Sequence, residues 1–113
     1  MYRQGDILLI PIPFSDLATN KQRPVLVLSN SKYNQKTEDL VVVAITSNLS
    51  EKEYAVIITQ ADLDEGNLKV DSCVRADKIY TLAQKIVIKR FGRVKQEVLN
   101  NVKSKLDDLL QQI

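Results

Sequence analysis

The sequence predicts a mainly β fold of the α+β kind: a small barrel-like sheet of short, mostly antiparallel strands, followed by a C-terminal amphipathic helix. Three observations carry this. The first two-thirds of the chain hold apolar, often β-branched runs of four to six residues, each bounded by turn-forming residues. From Val94 onward the apolar period becomes helical. The chain has 113 residues, 44% hydrophobic and 27% charged, so it makes one domain, residues 1–113, around a modest core.

The first strand is Ile7-Leu8-Leu9-Ile10, and Pro11 and Pro13 limit ladder pairing beyond it. Ser15 to Gln22 is a polar loop with turn-forming Ser, Asp, Thr and Asn. Pro24 opens the second run, Val25-Leu26-Val27-Leu28. Ser29 to Asp39 is polar again and allows at most a turn of helix after a cap at Asn30 or Ser31. The third run, Leu40 to Ile45, stops at Thr46-Ser47-Asn48, and the fourth spans Tyr54 to Thr59. Asp64-Glu65-Gly66-Asn67 signals a turn. A fifth strand is expected over Leu68 to Asp77, with Val70, Ser72, Val74 and Ala76 on one face and Asp71, Cys73, Arg75 and Asp77 on the other. Lys85 to Arg90 is the sixth. Finally Val94, Val98, Leu99, Val102, Leu106, Leu109, Leu110 and Ile113 mark one face of a helix of about five turns. Its mixed-charge outer face suits packing on the sheet or a dimer partner better than a membrane.

Composition narrows the chemistry. There is no histidine, which excludes a Ser-His-Asp or Cys-His triad, a His-paired ribonuclease and any histidine-ligated metal site. The single cysteine, Cys73, excludes an internal disulfide and reads as buried filler. No cofactor and no metal are expected. No signal-like leader precedes Gly5, and no apolar run approaches the ~18 residues of a membrane span. The expectation is a soluble, cytoplasmic protein without membrane contact. Sixteen Lys+Arg against 14 Asp+Glu leave a net charge of only +2, so any nucleic-acid surface must be local.

Three polar placements interrupt the apolar pattern. Arg23 directly precedes the second strand, and Thr46-Ser47 directly follow the third. If these strands pair antiparallel, the start of one lies beside the end of the other, and both groups reach one rim. Arg75 and Asp77, two apart, share a face of the fifth strand. A guanidinium binds phosphate oxygens through its planar fork, and hydroxyls add short hydrogen bonds. Two arginines near Thr and Ser hydroxyls therefore suit a phosphodiester without a metal. Spacing alone also allows the plain alternative, in which Arg23 is a solvated turn residue, Thr46 a strand end and Arg75–Asp77 a surface pair worth little.

These positions carry a family pattern. The chain resembles the MazF/PemK toxins of toxin–antitoxin systems in Gly5-Asp6-Ile7, Arg23-Pro24-Val25-Leu26-Val27-Leu28 and Val42-Val43-Ala44-Ile45-Thr46-Ser47. Ser72-Cys73-Val74-Arg75-Ala76-Asp77, Thr81-Leu82 and the closing helix follow in order. The resemblance implies an SH3-like, CcdB-like barrel and a metal-independent endoribonuclease that cuts single-stranded RNA at short sequences. In such toxins the substrate's own 2′-hydroxyl attacks, leaving a 2′,3′-cyclic phosphate and a free 5′-hydroxyl. It implies Arg23 and Thr46 as the catalytic pair and puts the family's strand-five arginine and acid at Arg75 and Asp77; by its own chemistry Asp77 then either accepts the 2′-hydroxyl proton or orients Arg75. Arg75, Ser47, Asn48 and Lys78, with Asp16, Lys21 and Gln22 from the loop, are then the RNA-binding candidates. Phe14, Tyr33 and Tyr80 are the aromatics available for base stacking. The implied partners are single-stranded RNA, a second copy of the chain in a homodimer, and a cognate antitoxin whose flexible segment fills the RNA groove. The loop departs from the pattern at Thr19-Asn20-Lys21-Gln22, where glycine is frequent, and Lys78 stands where glutamine is frequent. Two other readings share the fold: a CcdB-like toxin that poisons DNA gyrase without catalysis, and a non-catalytic β-barrel RNA-binding module. The former relies on a helix end that typically carries a tryptophan, and this chain has none.

Overall fold

The chain forms one antiparallel sheet curled into a half-barrel, with a helix laid across its inner face. The structure is a computed structural model that describes residues 1–11 and 21–113. In chain order the elements are β1 (Asp6–Pro11), β2 (Gln22–Val27), α1 (Ser31–Lys36), β3 (Asp39–Thr46), β4 (Ala55–Ile58), β5 (Leu63–Gly66), β6 (Ser72–Ala83), β7 (Lys89–Val94) and α2 (Gln96–Leu110). Among the described residues the strands lie in the order β4-β6-β3-β2-β1-β7-β5. The mainly β fold with its C-terminal helix is as the sequence predicts.

Period-2 alternation divides the apolar residues between the two faces. Ile7, Leu26, Val43, Ile45, Val74 and Ala76 point to one side, where they pack with Val98, Leu99 and Val102 of α2. That helix lies over β4 and β6. Leu8, Ile10, Val25, Val27, Leu40 and Val42 form a second cluster on the opposite side. Among the described residues twelve large side chains are fully buried, at roughly 1.5–3 kcal/mol each for removal from water. The helix leaves the core in its last turn: Leu110 is exposed, and so is Ile113 beyond it. Val94, which the periodicity assigns to the helix, instead ends β7 and is buried in the core. At the other side of the fold, Asn30 caps α1 by accepting from the Tyr33 N–H at 2.9 Å.

Three expected elements fall elsewhere. The Asp64–Asn67 turn signal lies largely in β5, which pairs with β7 through Gly66↔Gly92. The sixth strand shifts from Lys85–Arg90 to Lys89–Val94, and Gln84–Ile86 forms a 3-10 turn. Both shifts bring the same charged cluster together. Asp6, buried at 1% exposure, accepts from Arg90 Nε at 3.0 Å and Arg93 Nη2 at 2.7 Å, while Glu65 pairs with both arginines. These ion pairs tie β5 and β7 to the start of β1, and an apolar pattern carries no trace of them. The third difference is in β6, which begins at Ser72 rather than Leu68 and runs past Asp77 to Ala83. Along β3, Val43 pairs with Ile79 but the next residue, Ala44, pairs with Arg75. Ala76, Asp77 and Lys78 are thus skipped by β3, a bulge that breaks the alternation where the sequence reading stops.

Candidate functional site

The register delivers the expected rim. Val25 faces Ala44 across β2 and β3, and continuing that register by two residues sets Arg23 opposite Thr46. Ile10 pairs with Arg23 on one flank, and Thr46 pairs with Cys73 on the other. One row over, Val25, Ala44 and Arg75 line up in the same way. Because directly opposed residues share a face, Arg23, Thr46 and Arg75 all project to the side away from α2.

There they line a cleft of about 660 Å³ together with Ser47, Asn48, Lys52, Ser72, Lys78 and Tyr80. Among its described lining residues are four cations, Arg23, Lys52, Arg75 and Lys78, and no carboxylate. The net +2 of the whole chain is thus a poor guide to this wall, where positive charge is concentrated. Arg23 and Lys78 are exposed and make no ion pair among the described residues.

Arg75 is held differently. Its Nε and Nη2 donate to Asp77 Oδ1 and Oδ2 at 2.8 and 2.7 Å, a planar fork with both carboxylate oxygens engaged. The hydrogen bond from Arg75, opposed by partial burial, holds the Asp77 carboxyl below its usual range, and the same bond raises the guanidinium further. Asp77 itself does not line the cleft but stands behind Arg75. The Thr46 hydroxyl accepts from the Asn48 N–H at 3.2 Å, which leaves its own O–H as a donor.

Of the remaining expected contacts, Ser47, Asn48 and Lys78 line the cleft, while Lys21 and Gln22 are exposed outside its lining. Asp16 and Phe14 lie outside the described residues. Tyr80 lines the cleft; Tyr33, on α1, does not. Cys73 is buried and free, as expected of filler. The residue that sequence reasoning misses is Lys52: nothing in a polar loop marks one lysine as facing the cleft. Among the described residues no group of three His, Cys, Asp or Glu side chains is arranged to hold a metal ion. No helix among them is long and apolar enough to cross a membrane.

A comparison with curated proteins finds no match. Among solved structures, an endoribonuclease in complex with its cognate antitoxin from a mycobacterial species superposes with TM-score 0.80 at 21% identity, covering 100% of both chains. A MazE–MazF crystal structure from Deinococcus radiodurans gives TM-score 0.79 at 25% identity, covering 96% of this chain and 95% of that one. A second mycobacterial endoribonuclease gives 0.75 at 25% identity, covering 96% and 90%. The profile of PemK-like, MazF-like toxins of type II toxin–antitoxin systems matches residues 3–110, nearly the whole chain, and the protein belongs to that family.

Proposed function

We propose that this toxin is a sequence-specific, metal-independent endoribonuclease that cleaves single-stranded RNA in the cleft and thereby blocks translation and growth. The observation that carries the reading is the convergence of Arg23, Thr46 and Arg75 on one wall, with Lys78 beside them. Solved relatives described as endoribonucleases support it. The attacking group is the substrate's 2′-hydroxyl. Its oxygen bonds to phosphorus, the bond to the 5′-oxygen breaks, and a 2′,3′-cyclic phosphate and a 5′-hydroxyl result. The net proton transfer runs from the 2′-oxygen to the 5′-oxygen.

The residues divide this work by their chemistry. Arginine keeps its proton throughout the physiological range, so Arg23 serves as a cation for the charge developing on the phosphorane. Thr46 donates a hydrogen bond from its hydroxyl to the same oxygens. Arg75 grips a phosphate, with Asp77 fixing the plane of its fork; a carboxylate with both oxygens engaged and a lowered pKa is a weak base. The 2′-hydroxyl proton leaves to water in the open cleft. Ser47, Asn48 and Lys78 contact the flanking RNA, joined by Asp16, Lys21 and Gln22 when the strand extends over the β1–β2 connection. A second copy of the chain completes the groove as a homodimer. A cognate antitoxin segment fills it in the resting cell, as the antitoxin complexes of solved relatives suggest.

The test is incubation of purified protein with a long single-stranded RNA in EDTA, with 5′ ends mapped. Site-specific cuts with 5′-hydroxyl ends are expected. Arg23→Ala and Thr46→Ala should each cut ~10²–10³-fold more slowly with unchanged circular dichroism. Full activity in both folded variants overturns the assignment, and no cutting alongside inhibited gyrase supercoiling replaces the ribonuclease with a protein-binding toxin.

A further inference from the structure

The connection between β3 and β4, residues 47–54, must cross over β6, because β3 and β4 run parallel and pair with opposite edges of that strand. It contains no helix or strand of its own, so side chains must supply its order. One does so three times. Lys52 Nζ donates to the Asn48 carbonyl at 2.9 Å, the Ser50 carbonyl at 2.8 Å and Ser50 Oγ at 3.2 Å. An ammonium has three N–H donors, and all three are used inside this loop. The Asn48 side chain adds a further tie, its Oδ1 accepting from the Ser50 N–H at 2.9 Å.

The clamp ends on Thr46. Its hydroxyl oxygen accepts from the Asn48 N–H, so the position of that amide selects the rotamer of the hydroxyl and turns its hydrogen away from the loop. Lys52 also lines the same cleft wall. We infer that Lys52 is a positioning residue: by tying residues 48–52 together it holds the Asn48 amide on Thr46 and keeps the threonine hydroxyl poised to donate to the reacting phosphate. With its hydrogens committed to the loop, Lys52 acts through Thr46 rather than by gripping RNA. The inference rests on the ribonuclease reading above.

The test uses full-length protein carrying Lys52→Met, Thr46→Ala or both, with three readouts. On a cleavable RNA, Lys52→Met should lower kcat by about 10- to 100-fold, the scale of a misplaced catalytic group. Its Kd for the same RNA bearing a 2′-deoxy nucleotide at the cut site, which cannot react, should rise by no more than the severalfold expected from losing one cation of the cleft. The double variant should be no slower than Thr46→Ala alone, the non-additivity of residues acting through one group. By NMR relaxation, the Asn48 and Ser50 amide order parameters should fall from the rigid range of ~0.85 towards ~0.6 in Lys52→Met without RNA. An unchanged kcat, unchanged order parameters, multiplied losses in the double variant, or a weakened Kd with normal kcat would each overturn the role. Wild-type protein that leaves RNA intact refutes the ribonuclease reading itself and takes this role with it; active wild type with an indifferent Lys52→Met refutes Lys52 alone.

Discussion

Replacing Asp77 with asparagine separates two mechanisms for this cleft. A general base contributes typically ~10²–10⁴ in rate, and its removal erases the acidic limb of the pH profile. An orienting carboxylate contributes much less. The asparagine amide would keep one carbonyl oxygen for Arg75, so one of the two charge-assisted bonds is lost and the other gains a neutral acceptor. Such a bond is worth ~1.5–3 kcal/mol when enclosed, but Arg75 and Asp77 are 22% and 29% exposed. Solvent screening reduces this to about 1 kcal/mol, or roughly fivefold in rate. The assay is kcat and kcat/KM on a short RNA between pH 4 and 9. Because the folded pKa of Asp77 is lowered, its bond to Arg75 is intact at and above the usual ~3.9 and is lost only as pH falls through the lowered value. Activity at pH 5 should therefore be free of Asp77 protonation, and with no histidine in the chain no protein histidine limb should appear between about pH 5 and 8. A thousandfold loss in Asp77→Asn across this pH range would make Asp77 the base and refute the orienting role.

Three other outcomes follow from the same geometry. Asp6→Asn leaves Arg90 and Arg93 without their buried carboxylate, and because both arginines are partly exposed and keep Glu65, it should lower the unfolding free energy by about 1–2 kcal/mol, read from the urea midpoint at constant m. Gly66→Ala forces a side chain into a backbone at φ +90°, with its Cβ against the Phe91 carbonyl oxygen and 2.8 Å from Gly92 Cα. A cost of ~1–3 kcal/mol and a Tm drop of several degrees or more are expected by calorimetry. Lys78→Met should reduce the salt dependence of RNA binding, shrinking the slope of log K against log salt by about 0.7 if Lys78 neutralises one phosphate; an unchanged slope would remove that contact.

Local signals reach some of this molecule and not the rest. The Arg23–Thr46 rim is legible because two consecutive β-branched runs joined by a short polar segment pair antiparallel, and antiparallel pairing puts the start of one beside the end of the other. Arg75 and Asp77 are legible as a pair because i and i+2 on a strand share a face. The Ala76–Lys78 bulge is not, since alternation describes a strand only until its register slips. β7 brings Arg90 and Arg93 to Asp6, more than 80 positions earlier in the chain, a contact with no local trace. Asp64–Gly66 reads as a turn because its composition is that of a turn, and only pairing with β7 makes it a strand. Lys52 escapes for a related reason: its three acceptors are two backbone carbonyls and a hydroxyl, groups that every polar loop offers.

The skipped segment on β6 has an evolutionary consequence. Arg75 and Ile79 meet adjacent residues of β3, so the ladder on either side ignores how many residues stand between them. Ala76 is tied down, being buried and hydrogen-bonded to the Tyr54 carbonyl, but Lys78 is exposed over the cleft. A change of side chain at Lys78 is expected to leave folding untouched in a way that change within a regular strand is not. A lineage of such proteins can therefore vary this position over the cleft while the barrel beneath is inherited intact.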